Sequence, residues 1–395
     1  MALADHALAL YDGFQTTGSL DDLNGAISIM ESLVSTRSDY VSEGMQHNYG
    51  VMLGSRFETT GSIDDLNQAI HMVRSTVEAT QDPESLCEAR NNLANFLGQR
   101  YEQTGSTDDL NDAIDHSDNV VAAVSRDHPR AITFSNDLVV WLVARYERLG
   151  SAEDLHRAIE MATDIVNRAP QHHPDRAACL TNLGNALGAR FKREDSLDDL
   201  SKAISATREA VDTTPLGHPD RAIRLYNLGN ELSWRFHRTG SRDDLDGAIN
   251  AATNAMDTIP PNHSYRVVLL NSLSGWLGYR YRSTGSMEDL NRAIDVGVST
   301  VDATPAHHVS RVGNIYGLGI WLRERFLRTG AMSDLNRAID LAADALDQLP
   351  PDHARLARYS ADLGNMLSER YRRTLSEDDI SRATKLLTVA VSKVA

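Results

Sequence analysis

One heptapeptide constrains this chain more than any other feature. Thr-Gly-Ser-x-Asp-Asp-Leu recurs, with small variations, with its glycine at Gly18, Gly61, Gly105, Gly150, Gly240, Gly285 and Gly330. Degenerate copies around Asp195 and Leu375 fill the two remaining places, and the spacing runs 43, then 44, then 45 residues. Chance does not produce nine copies at a near-constant period. Self-similarity of this kind means one supersecondary unit used repeatedly, each copy closing its apolar face against its neighbours.

The unit reads as two helices. In residues 220–238, Leu225, Leu228, Leu232 and Phe236 fall at three- and four-residue steps, one face of a helix. Thr239-Gly240 stops it, because glycine accepts the left-handed conformation in which helices end. Ser241 is placed to cap the next helix, with Asp244 three residues on completing a capping box, and the acids sit in the first turn, where the helix dipole favours negative charge. The second helix puts Leu245, Ala248, Ile249, Ala252 and Met256 on one side and closes at Ile259-Pro260-Pro261. The first unit is short, Ala2 to Phe14 supplying only the later part of a first helix. No linker, low-complexity stretch or second composition regime interrupts the pattern. The reading is one elongated domain over residues 1–395, with units near 1–40, 41–84, 85–128, 129–173, 174–218, 219–263, 264–308, 309–353 and 354–395.

The net charge of −16 tempts one to expect a basic partner. The recurring heptapeptide contributes 17 of the 55 acids, however, and the 38 that remain face 39 lysines and arginines. The acidity belongs mainly to helix starts. It excludes a nucleic-acid binder, which needs a basic excess. No apolar run approaches the roughly 18 residues of a membrane span. Cys87 and Cys179 match no metal or redox spacing, and no signal peptide is seen, so a reducing, cytoplasmic setting is expected.

These residues resemble the tetratricopeptide repeat. Leu228-Gly229 would take that family's Leu-Gly pair, Ala248, Ala252 and Ala255 its second-helix alanines, and Pro260 its closing proline. The usual unit has about 34 residues; here the first helix and its turn are longer, and the loop after the second helix, Pro215 to Arg221, takes the remainder. Long units of this type are similar to those of kinesin light chains. His-Pro-Asp-Arg-Ala with Asn-Leu-Gly-Asn is more similar still to the fungal arrays found with CHAT domains, a caspase-like protease fold. The resemblance covers essentially the whole chain. It implies an all-α fold, a right-handed superhelical solenoid of nine helix-turn-helix repeats serving as an adaptor. No protease sequence follows Ala395, so that activity is not implied.

Residues present in every unit must first serve every unit. An arginine precedes an aromatic at Arg56, Arg100, Arg145, Arg190, Arg235, Arg280, Arg325 and Arg370. Either these form an anion-binding stripe, or each pairs with an acid of the neighbouring helix start across the Thr-Gly-Ser turn; the second reading is preferred. His128, His173, His218, His263, His308 and His353 recur every 45 residues. Stacked units lie about 10 Å apart while zinc ligands must lie about 2 Å from one centre, so a loop or capping role is expected. The doublets His172-His173 and His307-His308 have no Cys or acid partner at ligand spacing. No catalytic motif is present, and no metal, cofactor or enzymatic activity is expected.

Specificity is left to positions where the copies differ. The resemblance implies a concave surface lined by first helices, with the positions two before, two after and six after the Leu of Leu-Gly facing it. These are Tyr226, Asn230 and Trp234 around Leu228, Asn271, Gly275 and Tyr279 around Leu273, and Tyr316 around Leu318. Asn95, Asn185 and Asn365 repeat the Asn230 position. Some relatives hold a peptide carboxylate with a basic residue at the first position; His47, Asn91, Asn136, Thr181, Tyr226, Asn271, Tyr316 and Ala361 stand there, so that clamp is not expected. An aromatic and amide groove suits a peptide segment of a protein partner, although Trp234 and Tyr279 could instead pack between first helices. Trp141, Trp276 and Trp321 share another position and are expected to be structural. The rival readings are a sensor portion of a larger effector, an enzyme using the superhelix interior as a cavity, and self-association through the array ends.

Overall fold

The computed structural model describes residues 2–35, 42–260, 263, 265–308 and 310–392. The described residues form eighteen α-helices and no strand, paired along the chain as an all-α solenoid. They fall into two compact units, Met1–Ala206 and Thr207–Ala395, divided inside the tenth helix at a place the repeat does not mark. The helix pairs of the first unit are α1 (Ala2–Thr17) with α2 (Leu20–Ser35), α3 (Glu43–Thr60) with α4 (Ile63–Ala79), α5 (Pro83–Thr104) with α6 (Thr107–Ala123), and α7 (Ala131–Leu149) with α8 (Ala152–Arg168). α9 (Arg176–Glu194) and α10 (Leu197–Thr213) follow. The second unit continues with α11 (Arg221–Thr239) and α12 (Arg242–Thr258), α13 (Tyr265–Thr284) and α14 (Met287–Ala303), α15 (Arg311–Thr329) and α16 (Met332–Asp347), and α17 (Leu356–Thr374) and α18 (Glu377–Ser392).

The apolar stripes expected from periodicity are the buried ones: Leu225, Leu228 and Leu232 in α11, and Leu245, Ala248, Ile249 and Ala252 in α12, whereas Phe236 is half-exposed. Pro261, the last residue expected to close α12, lies outside the described residues; the helix ends at Thr258, with Ile259 extended.

Each turn between paired helices is built from the heptapeptide. The glycines at its centre take φ of 72 to 76°, and their N–H groups reach back to the carbonyl four residues earlier, as Gly240 does to Phe236. Asp195 and Leu375 take the same left-handed place at φ 59 and 58°. The following serine is the N-cap, Ser241 Oγ accepting from the N–H of Asp244 at 3.4 Å. Only that half of the expected capping box forms, because the Asp244 carboxylate is engaged by an arginine instead. Arg235 donates from Nε and Nη2 to the two carboxylate oxygens at 2.9 and 2.6 Å.

The same two-pronged clamp joins Arg56 to Asp65, Arg100 to Asp109, Arg145 to Asp154, Arg190 to Asp199, Arg280 to Asp289, Arg325 to Asp334 and Arg370 to Asp379. Planar guanidinium and planar carboxylate match two for two, which fixes the angle between the helices of a pair. The arginines therefore lock the repeat and form no anion stripe. They also hold the carboxyls of Asp154, Asp199 and Asp379 below the ordinary aspartate value.

The histidines have a local task as well. Nδ1 of His128, His173, His218, His263, His308 and His353 accepts the backbone N–H two residues on, at 3.1 to 3.2 Å. This caps the start of the next first helix. In the same loops Arg176 donates to the carbonyls of Val166 and Ala169, and Arg221 to those of Val211 and Thr214, capping the end of the preceding helix. Between first helices, large rings sit on glycine. A Cβ at Gly98 would fall inside the Trp141 ring, one at Gly278 inside Trp321, and one at Gly229 within 2.6 Å of Trp276. The three tryptophans are buried and structural.

Candidate functional site

With the arginines, histidines, tryptophans and heptapeptide acids assigned to the fold, the first helices still carry polar and aromatic residues that differ between copies. Their polar side chains bond from one first helix to the next. The residue two before the repeat Leu meets the residue one before it in the following unit: His47 with Asn92 at 3.2 Å, Asn136 with Asn182 at 3.0 Å, and Tyr316 with Asp362.

In the first unit α3, α5 and α7 enclose a recess of about 460 Å³, within the size range of ligand sites. Val51, Asn95 and Val140, two after the repeat Leu, and Ser55 and Gln99, six after it, line the recess. These are two of the three repeat positions that the resemblance assigns to a groove; the third, two before the Leu, does not line it. The walls add Asn92, Phe96 and Trp141, and three carboxylates, Glu58, Glu102 and Asp137. Asn95 Nδ2 donates to Asp137 at 3.3 Å, and Gln99 Nε2 to Glu58 at 3.0 Å. Both amides thus turn their N–H groups toward acids. The Gln99 carbonyl oxygen is left buried with no donor, and the Trp141 indole N–H, on a side chain only 6% exposed, meets no acceptor. Desolvation raises the Asp137 carboxyl above its ordinary value, against the bonds from Asn95 and Asn91. It raises Glu102 as well. None of the lining residues is a lysine or arginine.

The second unit carries the other groove candidates. Tyr226, Asn230 and Trp234 follow one another at four-residue steps on α11, each half-exposed. Tyr226 meets Tyr265 edge-on, with ring centroids 6.4 Å apart. On α13, Asn271 and Tyr279 are exposed, and Tyr279 receives the edge of His237 at 4.8 Å. Gly275 between them, and Gly317 on α15, have nothing within 4 Å of where a Cβ would stand. Tyr316 is placed differently. It is buried, stacked on Tyr359 at 3.6 Å and bonded to Asp362, so that burial and the acid push its phenol up. Asn185 and Asn365 are exposed.

Sequence reasoning reached Asn95 but passed over Glu58, Gln99, Glu102 and Asp137. A signal existed. Nine residues after the repeat Leu, the chain reads Glu58, Glu102, Glu147 and Lys192 in the first unit, and His237, Arg282, Leu327 and Arg372 in the second. The arginines of this second row are already engaged in part: Arg282 lies over Trp321 at 4.8 Å and bonds Glu324.

Burial pushes the Cys179 thiol up to about 12, away from nucleophilic use. Among the described residues no three His, Cys, Asp or Glu side chains gather as a metal site, and no helix is long and apolar enough to cross a membrane. Stacked helix pairs held by recurring clamps and caps define a repeat protein.

Residues 176–220, which span α9 and α10, match the model of the tetratricopeptide repeat. The other copies repeat this helix pair, so the chain is an array of units similar to the tetratricopeptide repeat. Solved structures are similar at low identity. The nearly identical TPR-like repeats of a kinesin light chain from Podosopora anserina are 18% identical, covering 56% of this chain and 99% of that one, with a TM-score of 0.40. A monomeric IFIT1 mutant with m7Gppp-AAAA is 14% identical over 99% of this chain and 80% of that one, TM-score 0.51. The apo quorum sensor NprR from B. thuringiensis is 12% identical over 95% and 98%, TM-score 0.51. The last two matches show the fold alone. No match was found among curated proteins.

Proposed function

We propose that this protein is an interaction scaffold that takes a peptide segment of a protein partner along the face formed by its first helices. One observation carries the reading: the recess of the first unit is lined at two repeat positions, two and six after the Leu, whose side chains change between copies. Residues that every copy needs are engaged in clamps and caps, whereas Asn95, Gln99, Asn230, Trp234, Asn271 and Tyr279 are individual. Half-exposed aromatics beside amides are the usual anchors of peptide recognition, the ring giving contact area and the amide bonding the backbone. The open space at Gly275 and Gly317, beside Asn271 and Tyr279, lets a chain lie close to α13 and α15. The RNA present with IFIT1 is a poor guide to this chain, which has no excess of basic residues.

The test uses peptides selected on the full chain from a random display library, with affinity read by fluorescence anisotropy. Replacing Tyr226, Asn230 and Trp234 together by alanine is expected to weaken peptides bound at α11 by about tenfold or more, the cost of losing an aromatic anchor. Unchanged affinity for every selected peptide in both this variant and a variant of the first-unit recess would remove the proposal.

A further inference from the structure

We infer that the recess between α3, α5 and α7 is a subsite for an arginine side chain of the bound peptide; this rests on the peptide-scaffold reading and makes it specific. Three carboxylates, Glu58, Glu102 and Asp137, converge on one concave space that no basic side chain of its lining neutralises. Desolvation raises both Asp137 and Glu102, and in Asp137 it outweighs the charge of Arg130 and the bonds from Asn95 and Asn91. A cation entering the recess restores the favourable state of both.

The placement of acceptors distinguishes a guanidinium from an ammonium. Asn95 and Gln99 each occupy one oxygen of an acid, Asp137 Oδ2 and Glu58 Oε1. Asn91 also bonds Asp137, and Glu102, with no such bond, lines the same space. The carbonyl oxygen of Gln99, another lining residue, is buried with no donor. A planar fork of five N–H donors can serve several carboxylates at once, whereas an ammonium has three donors on one nitrogen. Phe96 and Trp141 supply ring surface for the flat guanidinium or its methylene stem.

The Trp141 indole is a separate observation that points to the same ligand. Its N–H is buried without an acceptor, and a lone arginine side chain offers none. A peptide does, because its backbone carbonyls accompany the side chain. The occupant that satisfies the orphan donor, the orphan acceptor and the three acids together is an arginine within a peptide, rather than a free polyamine or a metal ion.

The experiment compares four probes on the full chain: an acetylated, amidated Ala-Ala-Arg-Ala-Ala peptide, the same peptide with citrulline, the same with lysine, and spermine. Isothermal calorimetry gives affinity, and quenching of tryptophan fluorescence reports on Trp141. Citrulline keeps the shape of arginine without its charge. Binding of the arginine peptide is expected to be about tenfold tighter than that of the citrulline peptide, with lysine between them and spermine no tighter than lysine. Glu102→Gln and Asp137→Asn, alone and together, preserve size and hydrogen-bonding reach. They are expected to abolish the preference for arginine over citrulline while leaving helical circular dichroism unchanged.

Equal binding of arginine and citrulline peptides, or a preference that survives both substitutions, overturns the inference. Spermine binding as tightly as the arginine peptide also overturns it, in favour of a small polycation. In each case selected peptides that still respond to the alanine triple at Tyr226, Asn230 and Trp234 leave the scaffold reading standing. Loss of response there too removes both.

Discussion

The two compact units use the same helix pair and the same clamps, yet present different first-helix faces. In the first unit the face is deep and acidic: Glu58, Glu102 and Asp137 surround a recess roofed by Phe96 and Trp141. In the second it is shallow and aromatic. Glycines at Gly275 and Gly317 leave open space, Tyr226 and Trp234 are half-exposed, Tyr279 is exposed, and the position held by Glu58 and Glu102 has become His237 and Arg282. The difference teaches where a repeat protein keeps its individuality. Clamp, cap and turn recur in most copies because each helix pair needs them, with exceptions at Gly13, Ala331, Asp195 and Leu375, whereas exposed side chains change freely from copy to copy.

If that division is right, substitutions in shared parts cost the two units alike, and substitutions on the faces do not. The largest expected effect is on the clamp. Arg145→Ala in the first unit and Arg280→Ala in the second each leave a nearly buried aspartate without its guanidinium. Each is expected to cost about 2–3 kcal/mol, less than for a fully buried pair because the arginines are about a quarter exposed. Urea unfolding measures this, and a cost confined to one unit would break the equivalence.

The clamp also sets the response to acid. Asp154, Asp199 and Asp379 have folded-state values below the ordinary 3.8, so their contribution is present above that value and is lost as pH falls through the lower folded one. Acid unfolding is expected below about pH 4 in both units. The recess has the opposite sign. Asp137 and Glu102 are raised, so mild acidification from neutrality is expected to stabilise the first unit. Neutralising them by Asp137→Asn with Glu102→Gln removes that gain.

Smaller effects separate the faces further. Gly98→Ala drives a methyl into the Trp141 ring and is expected to cost about 2 kcal/mol. Leu375→Gly is expected to gain about 1 kcal/mol, because leucine bears the left-handed penalty at φ 58° while remaining largely exposed. Gly275→Ala meets nothing and is expected to gain about 0.5 kcal/mol from helix propensity while narrowing the open space on α13. Thermal denaturation by circular dichroism ranks all three; a destabilised Gly275→Ala would mean that the second face is packed.

Almost all of the fold is legible in the sequence, because periodicity speaks for local structure. The heptapeptide marks every turn, and the apolar steps of α11 and α12 mark what is buried. The arginine and histidine ladders are explained by their own recurrence. The candidate surface is legible only in part. The repeat register leads to Asn95, but a recess is formed by side chains from three successive units, and no single unit announces it. Asp137 reads as a polar residue on a helix until α5 brings Asn95 against it. Tyr316 shows the converse. The same register aims it at the groove, but stacking on Tyr359 and the bond to Asp362 draw it inward, a pairing that depends on what the next copy supplies.

The most direct test of this division is hydrogen–deuterium exchange of the full chain, with and without a selected peptide at saturating concentration. The account predicts protection confined to first helices, at α3, α5 and α7 or at α11, α13 and α15, with α4, α6, α12 and α14 unchanged. Protection on those second helices, with the first helices unaffected, would contradict it.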